Sequence, residues 1–128
     1  MTTPSAPPIV LLVDDDEDCR IIFPLALRHA GFEVEVAATA DQGLALAKRV
    51  RPDVVLLDRV MPIRHGDELL ADLKALPTTR DVPIVAITAN TSKSEIDPLK
   101  ELGYTDVLLK PIDPGALVAQ VERILDRH

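Results

Sequence analysis

Five short apolar runs alternate with stretches of helix length, and that alternation restricts the chain to very few folds. The runs are IVLLV (9–13), EVEVAA (33–38), DVVLL (53–57), PIVAIT (83–88) and DVLLK (106–110). The first, third and fourth are almost continuously apolar, as strands buried on both faces are. The second alternates Glu33, Val34, Glu35 and Val36, the pattern of an edge strand with one wet face. Helices are predicted at 17–30, 41–50, 67–76, within 92–102, and at 114–126. Gly31 can end the first at a left-handed position, and Asp113–Pro114 supplies an N-cap followed by proline at the first helical position. Leu117, Val121 and Ile124 recur at i, i+4 and i+7, giving the last helix one buried stripe. A βα alternation with short loops requires a parallel sheet covered by helices on both faces, the doubly wound α/β class.

At 128 residues the chain has the size of one domain, with neither an internal repeat nor an interdomain linker. Phe23, Phe32 and Tyr104 are its only aromatics, so the core must be aliphatic. MTTPSAPP (1–8) has no charged or apolar segment of a signal peptide and reads as a disordered lead-in, leaving 9–126 as the folded domain. A net charge of −7 without a Lys/Arg run argues against direct binding to nucleic acid or an anionic membrane. The apolar runs are too short to span a bilayer. Cys19 is the single cysteine, which excludes an internal disulfide and suits a reducing, cytoplasmic setting.

Open parallel sheets bind ligands outside the carboxyl ends of their strands. The residues that end the runs are Asp14 and Asp15, Asp58, Thr88 and Lys110. Close carboxylates repel by about 4 kcal/mol per pair at an intermediate dielectric, and a divalent cation removes that penalty. Mg²⁺ suits such a set because it takes one or two carboxylates, keeps waters and accepts phosphate oxygens. Lys110 adds a mobile positive charge and Thr88 a hydroxyl donor, the parts needed to neutralise a phosphoryl group in transit. A carboxylate can itself be the acceptor, and Asp58, ending the central strand, is the best candidate.

VLLVDDD, PDVVLLDRVMPIRHGDEL, IVAITA and LLKPI, in that order and each at a strand end, resemble the receiver domain of bacterial two-component response regulators. The resemblance covers residues 9 to about 125. It implies a flavodoxin-like (βα)5 fold, a five-stranded parallel sheet of order 2-1-3-4-5. By resemblance, Asp58 is the phosphoacceptor, Asp14 and Asp15 are the acidic pair holding Mg²⁺, and the Val60 carbonyl is a further metal ligand. Thr88 and Lys110 would hold phosphoryl oxygens. The implied partners are a sensor histidine kinase or phosphotransfer protein as donor and an unknown downstream protein as receiver of the signal, read from helix four, strand five and helix five. Such a module is not an enzyme toward other substrates; it catalyses only its own phosphorylation and dephosphorylation. Val60 and Asn90, two past Asp58 and Thr88, are positions expected to set the phosphoryl lifetime. The Lys110–Pro111 bond, often cis in the family, is compatible with the small trans preference of X-Pro. Nothing like an output domain follows Ile124, so a stand-alone or excised receiver is expected.

Several positions depart from the family pattern. Val107 stands where an aromatic usually precedes the lysine by three residues, and Tyr104 is out of register with it. Pro24 falls inside the first helix, where a kink is expected. Pro98 falls in the fourth helical segment, where Ser94 or Asp97 capping a shortened helix would leave 90–96 as a loop. Arg59 follows the acceptor where an apolar residue is usual; it either guides an anionic partner or pairs with a neighbouring acid. Asp16, Glu17 and Asp18 read as a solvated first helical turn favoured by the helix dipole. His29, His65 and His128 read as exposed and unspecialised, although His65 lies in the loop near the acceptor and could tune partner contact. Cys19 reads as an ordinary helix residue.

Two other functions fit part of the pattern. A phosphatase of the haloacid dehalogenase type would use Asp14 as nucleophile, since DDD at 14–16 satisfies its D-x-D spacing. Against it, Asp18 stands where Thr or Val should be, the acidic pair after the lysine is incomplete, and there is no room for a cap over the substrate. The other alternative is a receiver-like scaffold that is never phosphorylated. Nucleotide-binding glycine motifs are absent.

Overall fold

The computed structural model describes residues 6–61, 65–89 and 93–126, and for 93–97 the backbone alone. Residues 1–5 of the expected lead-in, Asn90 and His128 lie outside the described residues. Strands and helices alternate throughout: β1 Ile9–Val13, α1 Glu17–His29, β2 Glu33–Ala37, α2 Ala40–Val50, β3 Val54–Asp58, α3 Gly66–Ala75, β4 Ile84–Thr88, α4 Lys93–Leu102, β5 Asp106–Leu109 and α5 Pro114–Asp126. The five strands form one parallel sheet in the order β2-β1-β3-β4-β5. This is the flavodoxin-like order that the family resemblance implies. The three near-continuous apolar runs occupy its interior, and the alternating run lies at an edge.

Period-two alternation divides the strands between two helical layers. Leu11, Val13, Val55, Leu57, Ile84 and Ala86 pack with α2, α3 and Leu99 of α4. Their neighbours Val10, Leu12, Val54, Leu56, Val85 and Ile87 pack against Phe23 and Leu27 of α1 and Leu117, Val121 and Ile124 of α5. Nearly every member is aliphatic, as the scarcity of aromatics requires.

Side-chain caps fix the helix starts. Asp16 accepts from the Asp18 and Cys19 amides, Thr39 from Gln42, and Asp113 from Ala116. Asp16–Asp18 thus begin α1, as the bland reading of the acid block holds. His65 is more than an unspecialised surface histidine: its Nδ1 accepts the Asp67 amide at 3.1 Å and caps α3. A neutral imidazole carries an acceptor nitrogen that serves this purpose as an Asn or Asp oxygen would. His29 is exposed. At the opposite edge of the sheet, Gly31, Arg51 and Gly103 take positive φ (101°, 50° and 122°) where a helix gives way to the next strand.

The two prolines are absorbed within their helices. α1 runs continuously across Pro24, which is itself buried. The shortened fourth helix is corrected: α4 begins at Lys93, so Ser94 and Asp97 lie within it and Pro98 sits in its interior. The missing N–H costs one backbone bond, while Leu99 beside it is 3% exposed and anchors the helix to the core.

Leu25 and Leu27 lie two apart on α1, the first 63% exposed and the second fully buried. Changing each to alanine has the same effect on helix propensity, so the difference reports burial alone. Leu27→Ala is expected to lower unfolding free energy by about 2–5 kcal/mol and Leu25→Ala by less than about 0.5 kcal/mol, measured by urea denaturation. Equal losses would place Leu27 outside the core.

Candidate functional site

The sheet itself assembles the site. Val13 pairs with Leu57 and Asp58 with Ile87, so the ends of β1, β3 and β4 are level. Leu12, Leu56 and Leu108 face the α1–α5 layer. Period two therefore puts Asp14, Asp58 and Lys110, two residues further on, over that same face. The Lys110 amide donates to the Thr88 carbonyl at 2.8 Å, which joins the β4 and β5 ends. Asp15, Asp58, Val60, Thr88 and Lys110 line one cleft of about 430 Å³, together with Asp16 and Ala89. All six residues singled out from the sequence thus meet at one edge, with Asp14 buried beneath the cleft.

Asp14 is fully buried, and Asp58 and Thr88 are each 4% exposed, whereas Asp15 is solvent-facing. Asp14 Oδ1 accepts the Asp16 amide at 2.9 Å, but its buried Oδ2 has no hydrogen-bond partner. Lys110 Nζ lies 3.7 Å from that oxygen and 3.6 Å from Asp58 Oδ2, a charge contact rather than a hydrogen bond. Asp58 Oδ1 accepts the Val60 amide at 3.2 Å. One oxygen from each of Asp14, Asp15 and Asp58 falls within 4.8 Å of the others. Burial, the Asp14 charge and a hydrogen bond with Asp15 push the Asp58 carboxyl up to about 7, against the opposing pull of Lys110. Burial by itself would lower the Lys110 ammonium, but Asp14 and Asp58 outweigh it and raise its affinity for the proton. An orphaned buried oxygen, three converging carboxylates and one lysine form a site that fits a hard divalent cation with oxygen ligands.

The sequence departures also find their places. Arg59 turns away from the cleft and grips Asp67, Nε to Oδ1 at 3.1 Å and Nη2 to Oδ2 at 2.8 Å, so it pairs with a neighbouring acid. Tyr104 is 3% exposed, and its hydroxyl donates to Asp67 Oδ1 at 2.6 Å. Val107 packs against the α2–α3 core. The Lys110–Pro111 bond is cis. Burial and the Asp14 charge push the half-buried Cys19 thiol up to about 11, so it is unreactive near neutrality.

One residue of the site escaped the sequence reading. A Cβ on Gly66 would lie 2.4 Å from the Asp58 carbonyl oxygen and 2.8 Å from the Arg59 Cα, so only glycine lets α3 start against the acceptor turn. Its amide donates to the Arg59 carbonyl at 2.8 Å. Its signal was the glycine eight residues after Asp58 in PDVVLLDRVMPIRHGDEL, directly before the helix predicted at 67–76.

Comparison with known proteins agrees with this geometry. Residues 10–122 match the response regulator receiver domain family. The transcriptional regulatory protein PrrA of Mycobacterium leprae is 36% identical over 128 residues, covering 100% of this chain and 54% of that protein. The DNA-binding response regulator MtrA of Mycolicibacterium paratuberculosis is 35% identical over 119 residues, 93% of this chain and 52% of that one. The chain thus spans about half the length of these curated relatives. The chemotaxis response regulator CheY4 of Vibrio cholerae superposes with a TM-score of 0.87 at 33% identity, covering 92% of this chain and 98% of that structure. No helix among the described residues is long and apolar enough to cross a membrane.

Without metal, Asp58 binds its proton more tightly in the folded chain than in the unfolded one. That proton favours the folded state at low pH, and the contribution is lost as pH rises through about 7. Asp58→Asn removes the titration. In urea unfolding with a chelator present, the variant is expected to exceed the parent by on the order of 4 kcal/mol at pH 8 and to match it near pH 4. An equal difference at both pH values would mean that Asp58 is not perturbed.

Proposed function

The chain belongs to the response regulator receiver domain family, and from that premise we propose that Asp58 accepts a phosphoryl group from a histidine kinase or phosphotransfer protein. The domain is a signalling module, and the phosphorylation-dependent reading rests on one observation above the rest. Asp58 sits in the cleft beside a buried carboxylate whose outer oxygen is orphaned and a lysine that faces both. In this reading a carboxylate oxygen of Asp58 attacks phosphorus, the phosphorus–nitrogen bond to the donor imidazole breaks, and an acyl phosphate forms. The imidazole leaves with its electron pair and takes up a proton.

Asp14, Asp15, Asp58 and the Val60 carbonyl would hold Mg²⁺, which supplies charge neutralisation for the oxygens in transfer. Thr88, at the end of β4, donates its hydroxyl to a phosphoryl oxygen, and Lys110 pairs with another. Val60 is 69% exposed at the mouth of the cleft, placed to influence how water reaches the phosphoryl group. The signalling surface is the helix four, strand five and helix five face, contacted by a protein partner. We read 9–126 as the working unit and the cytoplasm as its compartment. DNA binding belongs to the longer MtrA by its name and is not carried over to this acidic chain. The phosphatase alternative finds no support in the family match.

Incubation with Mg²⁺ and a small acyl-phosphate donor, followed by intact-mass measurement, is expected to add one phosphoryl group. The label should vanish in Asp58→Asn and persist in Asp16→Asn. Labelling at Asp14 would revive the phosphatase, and no labelling with any donor or kinase would favour the scaffold. Lys110→Ala should still be labelled but respond weakly; an unaltered surface change in that variant would remove the role given to the lysine.

A further inference from the structure

Behind the cleft lies a polar cluster that the phosphoryl chemistry does not use. Arg59 directly follows Asp58, and its main chain is held on both sides: its amide donates to the Ile87 carbonyl at 3.1 Å and its carbonyl accepts from Gly66 at 2.8 Å. Its side chain grips Asp67 with two bonds, and Asp67 Oδ1 also accepts the Tyr104 hydroxyl. Tyr104 marks the joint between α4 and β5. Its amide donates to Leu99 of α4 at 3.2 Å, and the next amide, Thr105, donates to Ile84 of β4 at 2.7 Å. Two side-chain contacts thus lead from the residue after Asp58 to the place where α4 ends and β5 begins.

The chemistry makes this link stiff. A bidentate guanidinium–carboxylate pair has fixed planar geometry, and it is partly shielded here, with the Arg59 and Asp67 side chains 17% and 28% exposed. Tyr104 is buried, so its hydroxyl loses its bond only at the cost of an unsatisfied polar group. Burial raises Asp67, but the bonds from Arg59 and Tyr104 outweigh it and keep the carboxyl below its ordinary range, ionised at neutral pH. A shift of the acceptor turn must pull on Arg59, and through Asp67 on the tyrosine. Val107, where the family's aromatic would stand, offers no such handle.

We propose that Asp67 and Tyr104 are positioning residues for the acceptor turn, acting through Arg59, and that occupancy of the Asp58 site is registered at the α4–β5 joint through the Tyr104 hydroxyl. The phosphorylation arm of this proposal rests on the receiver reading. Linkage is reciprocal: if the tyrosine contact favours the occupied turn, occupancy must favour the contact by the same factor.

Tyr104 is the only tyrosine and the chain has no tryptophan, so its ultraviolet emission reports this one hydroxyl. A carboxylate hydrogen bond quenches phenol emission. The experiment follows emission and intact mass together while Mg²⁺ and then a small acyl-phosphate donor are added to the full chain. Wild type should gain one phosphoryl group with a shift in emission intensity. Arg59→Gln and Asp67→Asn should lose the shift while remaining labelled. Tyr104→Phe, which keeps the ring but removes the emitting phenol, should weaken Mg²⁺ affinity roughly fivefold by titration calorimetry, at the low end of coupling between sites. Labelling without an emission shift, or the same shift in both variants, overturns the proposal. If no label appears, the phosphoacceptor reading fails, and the Mg²⁺ titration alone decides the positioning role. An emission shift with Mg²⁺ that Arg59→Gln abolishes then supports it, and its absence overturns it.

Discussion

Asp14 and Asp58 are held beside each other at the ends of adjacent strands, and their mutual repulsion governs the whole edge of the sheet. Neither can turn to solvent, because each is fixed by a buried strand and a backbone amide. Lys110 approaches both but hydrogen-bonds neither oxygen, so it offsets part of the charge and leaves the rest. The lysine must therefore arrive from β5 at the correct level, which depends on the parallel pairing of β4 with β5. Asp15 and Asp16 divide the remaining acid: one faces the cleft, and the other caps α1. The site is an electrostatic tension maintained by aliphatic packing, of the kind that a divalent cation relieves.

Much of this was legible because the fold and the site use one periodicity. Strands read as apolar runs, and in a parallel sheet the residues ending those runs must share an edge, so Asp14, Asp58, Thr88 and Lys110 could be grouped before any coordinates. The same logic could not reach Gly66, whose requirement is steric and set by how closely α3 begins against the Asp58 carbonyl. Nor could it reach the Arg59–Asp67–Tyr104 cluster. Arg59 follows β3, Asp67 lies in the first turn of α3 and Tyr104 in the α4–β5 connection, with no common spacing, and only tertiary packing decides which acid an arginine meets. The fourth helix failed for a related reason. Local propensity gives weight to Pro98, whereas the buried Leu99 that holds the helix counts only once the sheet is in place.

The departures from the family pattern have a common logic. Arg59 and Tyr104 are each unusual if taken singly, and both meet at Asp67, which joins a cation and a buried hydroxyl to one carboxylate. A valine at 107 fits the same arrangement, since the aromatic ring at this end of β5 is supplied by Tyr104 and faces the core. Loss of Asp67 strands both the guanidinium and the buried hydroxyl, and loss of Arg59 leaves the carboxylate without its cation.

The left-handed turns at Gly31, Arg51 and Gly103 mark the edge opposite the cleft. Since each helix returns antiparallel to its strand, the residues of the cleft sit at one pole of the molecule and these turns at the other. Length is strictly conserved by geometry at the first pole, where one extra residue would rotate a carboxylate onto the wrong face of the sheet. At the second pole a longer loop costs little beyond closure entropy. The molecule is thus split into a half intolerant of insertions and a permissive half, and probes, tags or grafted loops placed at Gly31 or Arg51, away from Tyr104, should leave Asp58 undisturbed.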